Sequence, residues 1–462
     1  MRGDKLSDLL QPGGDGVAVI DSNERLTRGD LFERAARLGR ELDERVGPDE
    51  RIGLVDTRDV QTIVVVLACL LAGRPIAMLG VAEYGEEAKT LAARARCRIV
   101  FCGDINHDLD ADPGAVESSP RYGLTESDSP EAVVLFTSGT TGMPKGVRLS
   151  RANIAANLTA MLRITEPWTS QDRLGQVLTV THSFGLSMAL MAVARRVPIV
   201  RLPDGPPSRA LSQLMADHSI SVFACVPYFL RLMSRRGMSL GGTAAPDLRA
   251  LFLAGGGLGD EEIAQILPDF GGSLYLMYGF TETTARAAVR RHGDGAPSGS
   301  VGLPLPGTHI DIVSPRGEAV AVGEEGLLRA IGPSLMIGYL GEVPRVKGTP
   351  FLTSDLGRVD SAGNVFITGR DVEMMNFRGN RVSVVRVEAQ AMRADGVIDA
   401  RAIPDSRDED AQCTLRLVLS DTADSSHVRR DVISLVEPRG IVRAIEFVAD
   451  LPKTRSGKAI RY

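Results

Sequence analysis

The chain has 462 residues, 44% of them hydrophobic and 24% charged, with a formal net charge of −5. This length exceeds one ordinary core and calls for two or three domains, and the composition is that of a globular protein. Mild acidity and scattered, unstriped basic residues argue against a nucleic-acid or anionic-membrane partner.

The first hundred residues alternate strand and helix patterns. Val17 to Ile20 is a short apolar run, and Leu31, Ala35, Leu38 and Leu42 then recur at helical spacing. Ile52 to Val55 predicts a buried strand and Val60 to Ala72 a helix stopped by Gly73. Pro75 to Leu79 predicts another strand, followed by a Glu/Ala/Arg-rich helix and by the run Ile99 to Cys102. Alternation of this kind implies a largely parallel sheet covered by helices. Asp104 to Pro130 is rich in Asp, Ser, Pro and Gly and predicts a surface loop, and Ala132 to Phe136 a strand. Phe351 to Arg370 is expected to be β-rich, turning at Ala362-Gly363-Asn364, and beyond Arg370 a compact strand-and-helix module follows. The expected fold class is α/β: a large N-terminal domain (1–369) of parallel-rich sheets covered by helices, and a small α+β C-terminal domain (370–462).

Five cysteines (Cys69, Cys97, Cys102, Cys225 and Cys413) are an odd number spread over a long chain. They are expected to be small core thiols in a reducing compartment, with no disulfide framework. The N-terminus lacks a signal-type apolar run, and Ile63 to Ala72 is about half the ~20 residues that a membrane span needs. A cytoplasmic protein without a membrane partner is expected.

Phe136-Thr137-Ser138-Gly139-Thr140-Thr141-Gly142-Met143-Pro144-Lys145-Gly146 is the most informative stretch. Its glycines let backbone N–H groups converge on one concavity, which favours an anion. Thr137, Ser138, Thr140 and Thr141 add hydroxyl donors and Lys145 a mobile charge, as a polyphosphate requires. No Gly-Lys-Ser/Thr ending makes it a Walker A loop, so a P-loop kinase or ATPase is disfavoured. Further along lie Thr181-His182-Ser183-Phe184-Gly185, Ala254-Gly255-Gly256-Gly257, Tyr278-Gly279-Phe280-Thr281-Glu282, Thr353-Ser354-Asp355, Gly369-Arg370 and Pro452-Lys453-Thr454-Arg455-Ser456-Gly457-Lys458.

The loop resembles the phosphate-binding motif of the AMP-forming acyl-adenylate superfamily, which holds acyl-CoA synthetases, peptide-synthetase adenylation domains and firefly luciferase. The other segments are similar to its remaining motifs, in family order. The resemblance implies that Thr137, Ser138, Gly139, Thr140, Thr141, Gly142 and Lys145 cradle the phosphates of ATP. Gly255 and Gly256 would lie along adenine and the acyl pocket, and Tyr278 would supply a ring against adenine. Thr281 would reach the α-phosphate, Glu282 would hold Mg²⁺, Asp355 would bind the ribose, and Arg370 would contact ribose or phosphate. Lys458 would bridge the substrate carboxylate and the α-phosphate. His182 and Phe184 would wall the acid pocket, with Val226 to Phe229 nearby. The segment around His182 lacks the Asp that usually pairs with an amino-acid ammonium, which points away from α-amino acids. Gly279 stands where acetate-specific relatives carry Trp, so an aryl or longer acyl acid is expected.

The implied activity is ATP-dependent adenylation of a small carboxylic acid, followed by transfer to CoA or a phosphopantetheine carrier protein. The C-terminal domain would be mobile, hinged near Asp371 and Val372, with Arg378-Gly379 in the loop beside the thiol channel. A monomer or homodimer fits equally. A second reading keeps the adenylation with a non-thiol acceptor or a non-carboxylate oxyanion, as in an amide-forming ligase or a nitrite-activating, diazotase-like enzyme. A catalytically dead relative is disfavoured because Glu282 and Lys458 are both present.

Overall fold

The computed structural model describes residues 5–47, 50–81, 85–103, 105–108, 131–137, 144–203, 205–238, 240, 245–370, 374–378, 380–405, 411–420 and 423–452. By packing, the chain divides into two compact units, Met1–Ile310 with Ala330–Phe351, and Asp311–Arg329 with Leu352–Tyr462.

The first unit holds two sheets. In the seven-stranded sheet, Arg51–Asp56 pairs in parallel with both Ile76–Val81 and Cys97–Cys102, and Ile76–Val81 in parallel with Glu131–Thr137. Antiparallel strands finish it: Lys145–Ser150 and then Gly338–Tyr339 on one side, Ile105–Asp108 on the other. Ile105–Asp108 corrects the expected loop, which begins in a strand; residues 109–130 lie outside the described part. The nine-stranded sheet has six parallel strands at its heart, Val17–Ile20, Ile199–Arg201, Leu174–Gln176, Val222–Cys225, Ala250–Leu253 and Ser273–Tyr278. Parallel strands covered on both faces must be apolar throughout, which is why Val222–Cys225 and Ala250–Leu253 are buried at every position.

The Val60–Ala72 helix forms where its apolar run begins, capped by the Asp59 side chain accepting from the Thr62 N–H. It ends because Gly73 takes φ 75°, a left-handed turn open to glycine. This helix and Ser183–Arg195 contribute to one apolar core that also takes residues from both sheets. Among the described residues, no helix is long and apolar enough to cross a membrane. All five cysteines are free thiols, four of them buried, and burial pushes the Cys97 thiol up to about 12.

A four-stranded sheet, ordered His309–Val313, Gly326–Ile331, Phe351–Val359 and Val365–Arg370, has most of its residues in the second unit. Its last two strands form the expected hairpin, with Gly363 at φ 87° in the turn. A three-stranded sheet (Val397–Pro404, Cys413–Leu419, Val442–Phe447) and the helices Val384–Ala391 and Ser425–Leu435 share a separate apolar core.

A buried ion pair joins the two large sheets at their strand ends. Asp56 closes Arg51–Asp56, Arg201 closes Ile199–Arg201, and both side chains are fully buried. The Thr179 hydroxyl and the Val180 N–H also donate to Asp56, at 2.8 and 2.9 Å. Burial alone would raise the Asp56 carboxyl, but Arg201, Arg58 and the N–H donors outweigh it and hold it at about 2. Removing one member of such a pair strands the other in a low-dielectric interior. Asp56→Ala is therefore expected to cost about 3–5 kcal/mol at pH 7, read from the urea midpoint. Because the folded value lies below the ordinary one of about 3.9, the carboxylate's contribution is complete above roughly pH 4. The deficit of the variant should accordingly narrow as the pH falls from there toward 2.

Candidate active site

The glycine-rich loop joins two antiparallel strands, Glu131–Thr137 and Lys145–Ser150, with Thr137 opposite Lys145 and Phe136 opposite Gly146. A Walker loop by contrast leads into a helix, so the geometry agrees with the missing Walker ending. Ser138, Gly139, Thr140, Thr141 and Gly142 lie outside the described residues, as do Asp371, Val372, Gly379 and Lys458. Thr137 and Lys145 mark where the loop leaves and rejoins the sheet.

Tyr278 ends its strand, and Gly255 follows the end of the neighbouring parallel strand, in which Leu253 pairs with Leu276. Carboxyl ends of parallel strands are where open α/β sheets bind ligands. Gly255 adopts φ 82°, which a side chain disfavours. Gly256 has ordinary backbone, and a Cβ there would meet only Pro227, at 3.6 Å.

After Tyr278 the chain makes a strained turn. A Cβ on Gly279 would lie 2.2 Å from the Ala285 carbonyl oxygen, so the glycine is required by backbone packing. This corrects the reason given for it from sequence, since the space beside Gly279 is filled by main chain. Thr281–Thr283 forms one 3₁₀ turn, and Thr284 and Ala285 then take φ 58° and 90°. Neighbours fix this backbone. The Asn157 amide donates to the carbonyls of Thr283 and Arg286, at 3.2 and 2.8 Å. The Thr284 hydroxyl donates to the Ser334 carbonyl at 2.6 Å, and the Met336 N–H to the Glu282 carbonyl at 2.8 Å.

Thr281 and Glu282 are left half-buried. The Tyr339 hydroxyl donates to Glu282 Oε1 at 2.8 Å, and Lys145 Nζ lies 5.1 Å from the centre of the Tyr339 ring. Tyr339 reaches this place because Gly338–Tyr339 pairs with Lys145–Ser150, Tyr339 opposite Val147. Burial, and next the Glu282 carboxylate, push the Tyr339 phenol up from its ordinary value. The structure therefore brings Lys145 and Glu282 together through a residue that sequence motifs do not flag.

His182 is the N-cap of Ser183–Arg195 and is exposed, which excludes a histidine satisfied inside the core. The first turn of that helix presses on Thr179: a Cβ on Gly185 would fall 1.9 Å from its carbonyl oxygen. The Phe184 ring meets the guanidinium of Arg286, 5.7 Å from its centroid, so the His182 segment and the Tyr278–Arg286 turn are neighbours. In the second unit Asp355 and Arg370 are cross-strand partners, and Arg370 Nε donates to Asp355 Oδ1 at 2.8 Å. Tyr339, Asn157 and Arg286 carry no sequence signal of their own. Only contacts reveal them.

Tyr278, Gly255 and the turn after Tyr278 thus gather at strand ends, and Tyr339 links Glu282 to the strand on which Lys145 lies. A family model described as "AMP-binding enzyme" matches residues 10–340, and the chain belongs to that family. It is 29% identical to "Probable 4-coumarate--CoA ligase 3" of Dictyostelium discoideum, over 71% of this chain and 62% of that protein. It is 26% identical to "Delta-poly-L-ornithine synthetase" of Acinetobacter baumannii, over 97% of this chain and 35% of that protein. The chain thus spans less than two thirds of the length of these curated relatives. ATP-bound MatB from Rhodopseudomonas palustris has the same fold, with a TM-score of 0.79 at 23% identity, covering 96% of this chain and 94% of that one.

Two glycines give contrasting tests. Gly279→Ala should destabilise the protein by about 1–3 kcal/mol through overpacking against Ala285 and weaken ATP binding with it. Gly256→Ala should leave thermal stability within about 0.5 kcal/mol. Any loss of ATP affinity, measured by calorimetry, then reports contact with the ligand.

Proposed function

We propose that this chain uses ATP to adenylate a carboxylic acid, releasing pyrophosphate, and passes the acyl group to the thiol of CoA or of a phosphopantetheine carrier protein. The observation that carries this is Glu282 and Lys145 held on either side of Tyr339 where the glycine-rich loop rejoins the sheet. In the first step an oxygen of the substrate carboxylate attacks the α-phosphorus, and the bond to the β-phosphate oxygen breaks. In the second the thiolate sulfur attacks the acyl carbon and AMP leaves.

The first step brings two anions together, so its chemistry is mainly positioning and charge compensation. Lys145 and the loop donors would take the outer phosphates, Thr281 the α-phosphate, Tyr278 the adenine, and Asp355 with Arg370 the ribose. Glu282 offers one oriented carboxylate, and no cluster of three or more acidic, His or Cys ligands exists among the described residues. A single carboxylate suits Mg²⁺, which prefers oxygen ligands and shares its shell with phosphates. When bound, that ion would offset the negative charge developing at phosphorus. In the division of labour we favour, residues 1–369 bind ATP and the acid, and the mobile domain 370–462 brings Lys458 to the reacting oxygens. His182 would border the acid. The missing Asp near His182 points away from α-amino acids, and an aryl or longer acyl acid is supported by similarity to a protein named for coumarate. An amine acceptor is the second reading, supported by similarity to a protein named for a poly-ornithine product.

Pyrophosphate release against a panel of aryl, fatty and amino acids, with and without CoA, tests the proposal. ADP instead of AMP as the nucleotide product would overturn it, and AMP release indifferent to CoA would favour the second acceptor. Lys458→Ala should lower acyl-AMP formation about 10²–10³-fold while sparing thiol transfer from supplied acyl-AMP. Equal loss of both steps would contradict the role given to that lysine.

A further inference from the structure

Glu282 and Lys145, the carboxylate and the ammonium assigned to the metal and the outer phosphates, both meet one neutral side chain. The Tyr339 hydroxyl donates to Glu282 Oε1 at 2.8 Å, and Lys145 Nζ lies over the Tyr339 ring, 5.1 Å from its centre. Among the described residues no group donates to Glu282 Oε2, and the Lys145 ammonium has no carboxylate partner. Each charge is thus held from one side only.

Main chain sets this juxtaposition. The Met336 N–H donates to the Glu282 carbonyl at 2.8 Å, the Ile337 N–H to the Arg148 carbonyl at 2.8 Å and the Leu340 N–H to the Gly146 carbonyl at 2.7 Å. Gly146, next to Lys145, has to be a glycine for the strands to lie this close. A Cβ there would fall 2.9 Å from Leu340 Cβ and 3.2 Å from the Phe136 ring. Tyr339 therefore reaches the Glu282 side chain from a segment that already holds the Glu282 carbonyl and is already bonded to the strand of Lys145.

An untethered glutamate turns freely, and near an ammonium it would be drawn into an ion pair. A phenol donor removes the freedom without changing the charge, because it is neutral and occupies one oxygen. An aromatic face likewise attracts an ammonium and leaves its N–H donors for other acceptors. Groups that orient a metal ligand from behind typically govern metal affinity by about 10–100-fold.

We propose that Tyr339 is a positioning residue for adenylation: its hydroxyl fixes Glu282 as a divalent-metal ligand, and its ring keeps Lys145 apart from that carboxylate for the phosphates of ATP. This rests on the adenylation reading above and adds to it the residue that sets the metal dependence.

ATP binding to the full chain, measured by calorimetry without acid, once in EDTA and once in excess Mg²⁺, tests it. Mg²⁺ should tighten ATP binding to the wild type, and Glu282→Gln should lack that gain. Tyr339→Phe keeps the ring and loses the hydroxyl. It should bind ATP in EDTA as the wild type does, while its gain from Mg²⁺ falls about 10-fold or more. In pyrophosphate exchange the same variant should show a raised KM for Mg²⁺, with kcat recovering as Mg²⁺ is increased. Tyr339→Leu removes the ring as well and should weaken ATP binding in EDTA by about 2–5-fold. A merely structural tyrosine predicts a lower Tm and equal loss of ATP affinity in both conditions for Tyr339→Phe, and that result overturns the inference. So does a full Mg²⁺ gain in Tyr339→Phe where Glu282→Gln has none. Unchanged EDTA binding in Tyr339→Leu sinks the part given to the ring. An equal gain in wild type and Glu282→Gln withdraws the metal role and the inference with it. The nucleotide product, AMP or ADP, still decides the adenylation reading on its own.

Discussion

The Tyr278–Arg286 part of the candidate site depends on a backbone turn that would not hold its shape alone. Thr284 and Ala285 are consecutive non-glycine residues in the left-handed region, each costing of order 1–3 kcal/mol. Such a turn persists only when its surroundings over-determine it. Here the Asn157 amide clasps two of its carbonyls, Thr284 is tied to Ser334, and the Met336 amide holds Glu282. Gly279 makes the closure possible by letting the Ala285 carbonyl approach within what would be bond-length clash for any side chain. The clasping residues come from a helix, Arg151–Ile164, and from the segment before Gly338–Tyr339. The same packing that fixes the turn therefore also places Tyr339.

Much of the first unit is legible in sequence because parallel strands buried on both faces have to be continuous apolar runs. Val17 to Ile20, Ile52 to Val55 and Val60 to Ala72 announce themselves in this way, and Gly73 marks its helix end by the left-handed conformation it must adopt. The loop residues proposed to hold phosphate are legible for a different reason: glycines, hydroxyls and a lysine crowded into eleven positions form a pattern in the sequence itself. What sequence does not disclose is pairing across long separations. Tyr339 lies 57 residues from Glu282 and is an unremarked Gly-Tyr in a turn-rich stretch. Arg286 reads as one more polar residue after a motif, and only its burial against Met277 and Met188 distinguishes it. Gly279 is legible as necessary yet misleading as to cause. Its neighbour is main chain, and a sequence shows residue types without showing what lies opposite them.

Two charged constellations in the molecule are built in opposite ways, and the difference bears on catalysis. Asp355 and Arg370 pair directly, the carboxylate buried and the Arg370 side chain 44% exposed, so solvent reaches the pair from the arginine's side. Lys145 and Glu282 are kept from pairing. Tyr339 stands between them, giving its hydroxyl to the carboxylate and its ring face to the ammonium. A neutral hydrogen bond orients Glu282 without cancelling its charge, and a cation–π contact of about 0.5–2 kcal/mol steadies Lys145 without committing it to a carboxylate. A direct ion pair in the same place would have to be broken before either group could meet a phosphate or a divalent ion. Interposing an aromatic hydroxyl leaves both charges oriented and available, and that is the condition a site needs if it is to hold a polyphosphate and its counter-ion at once.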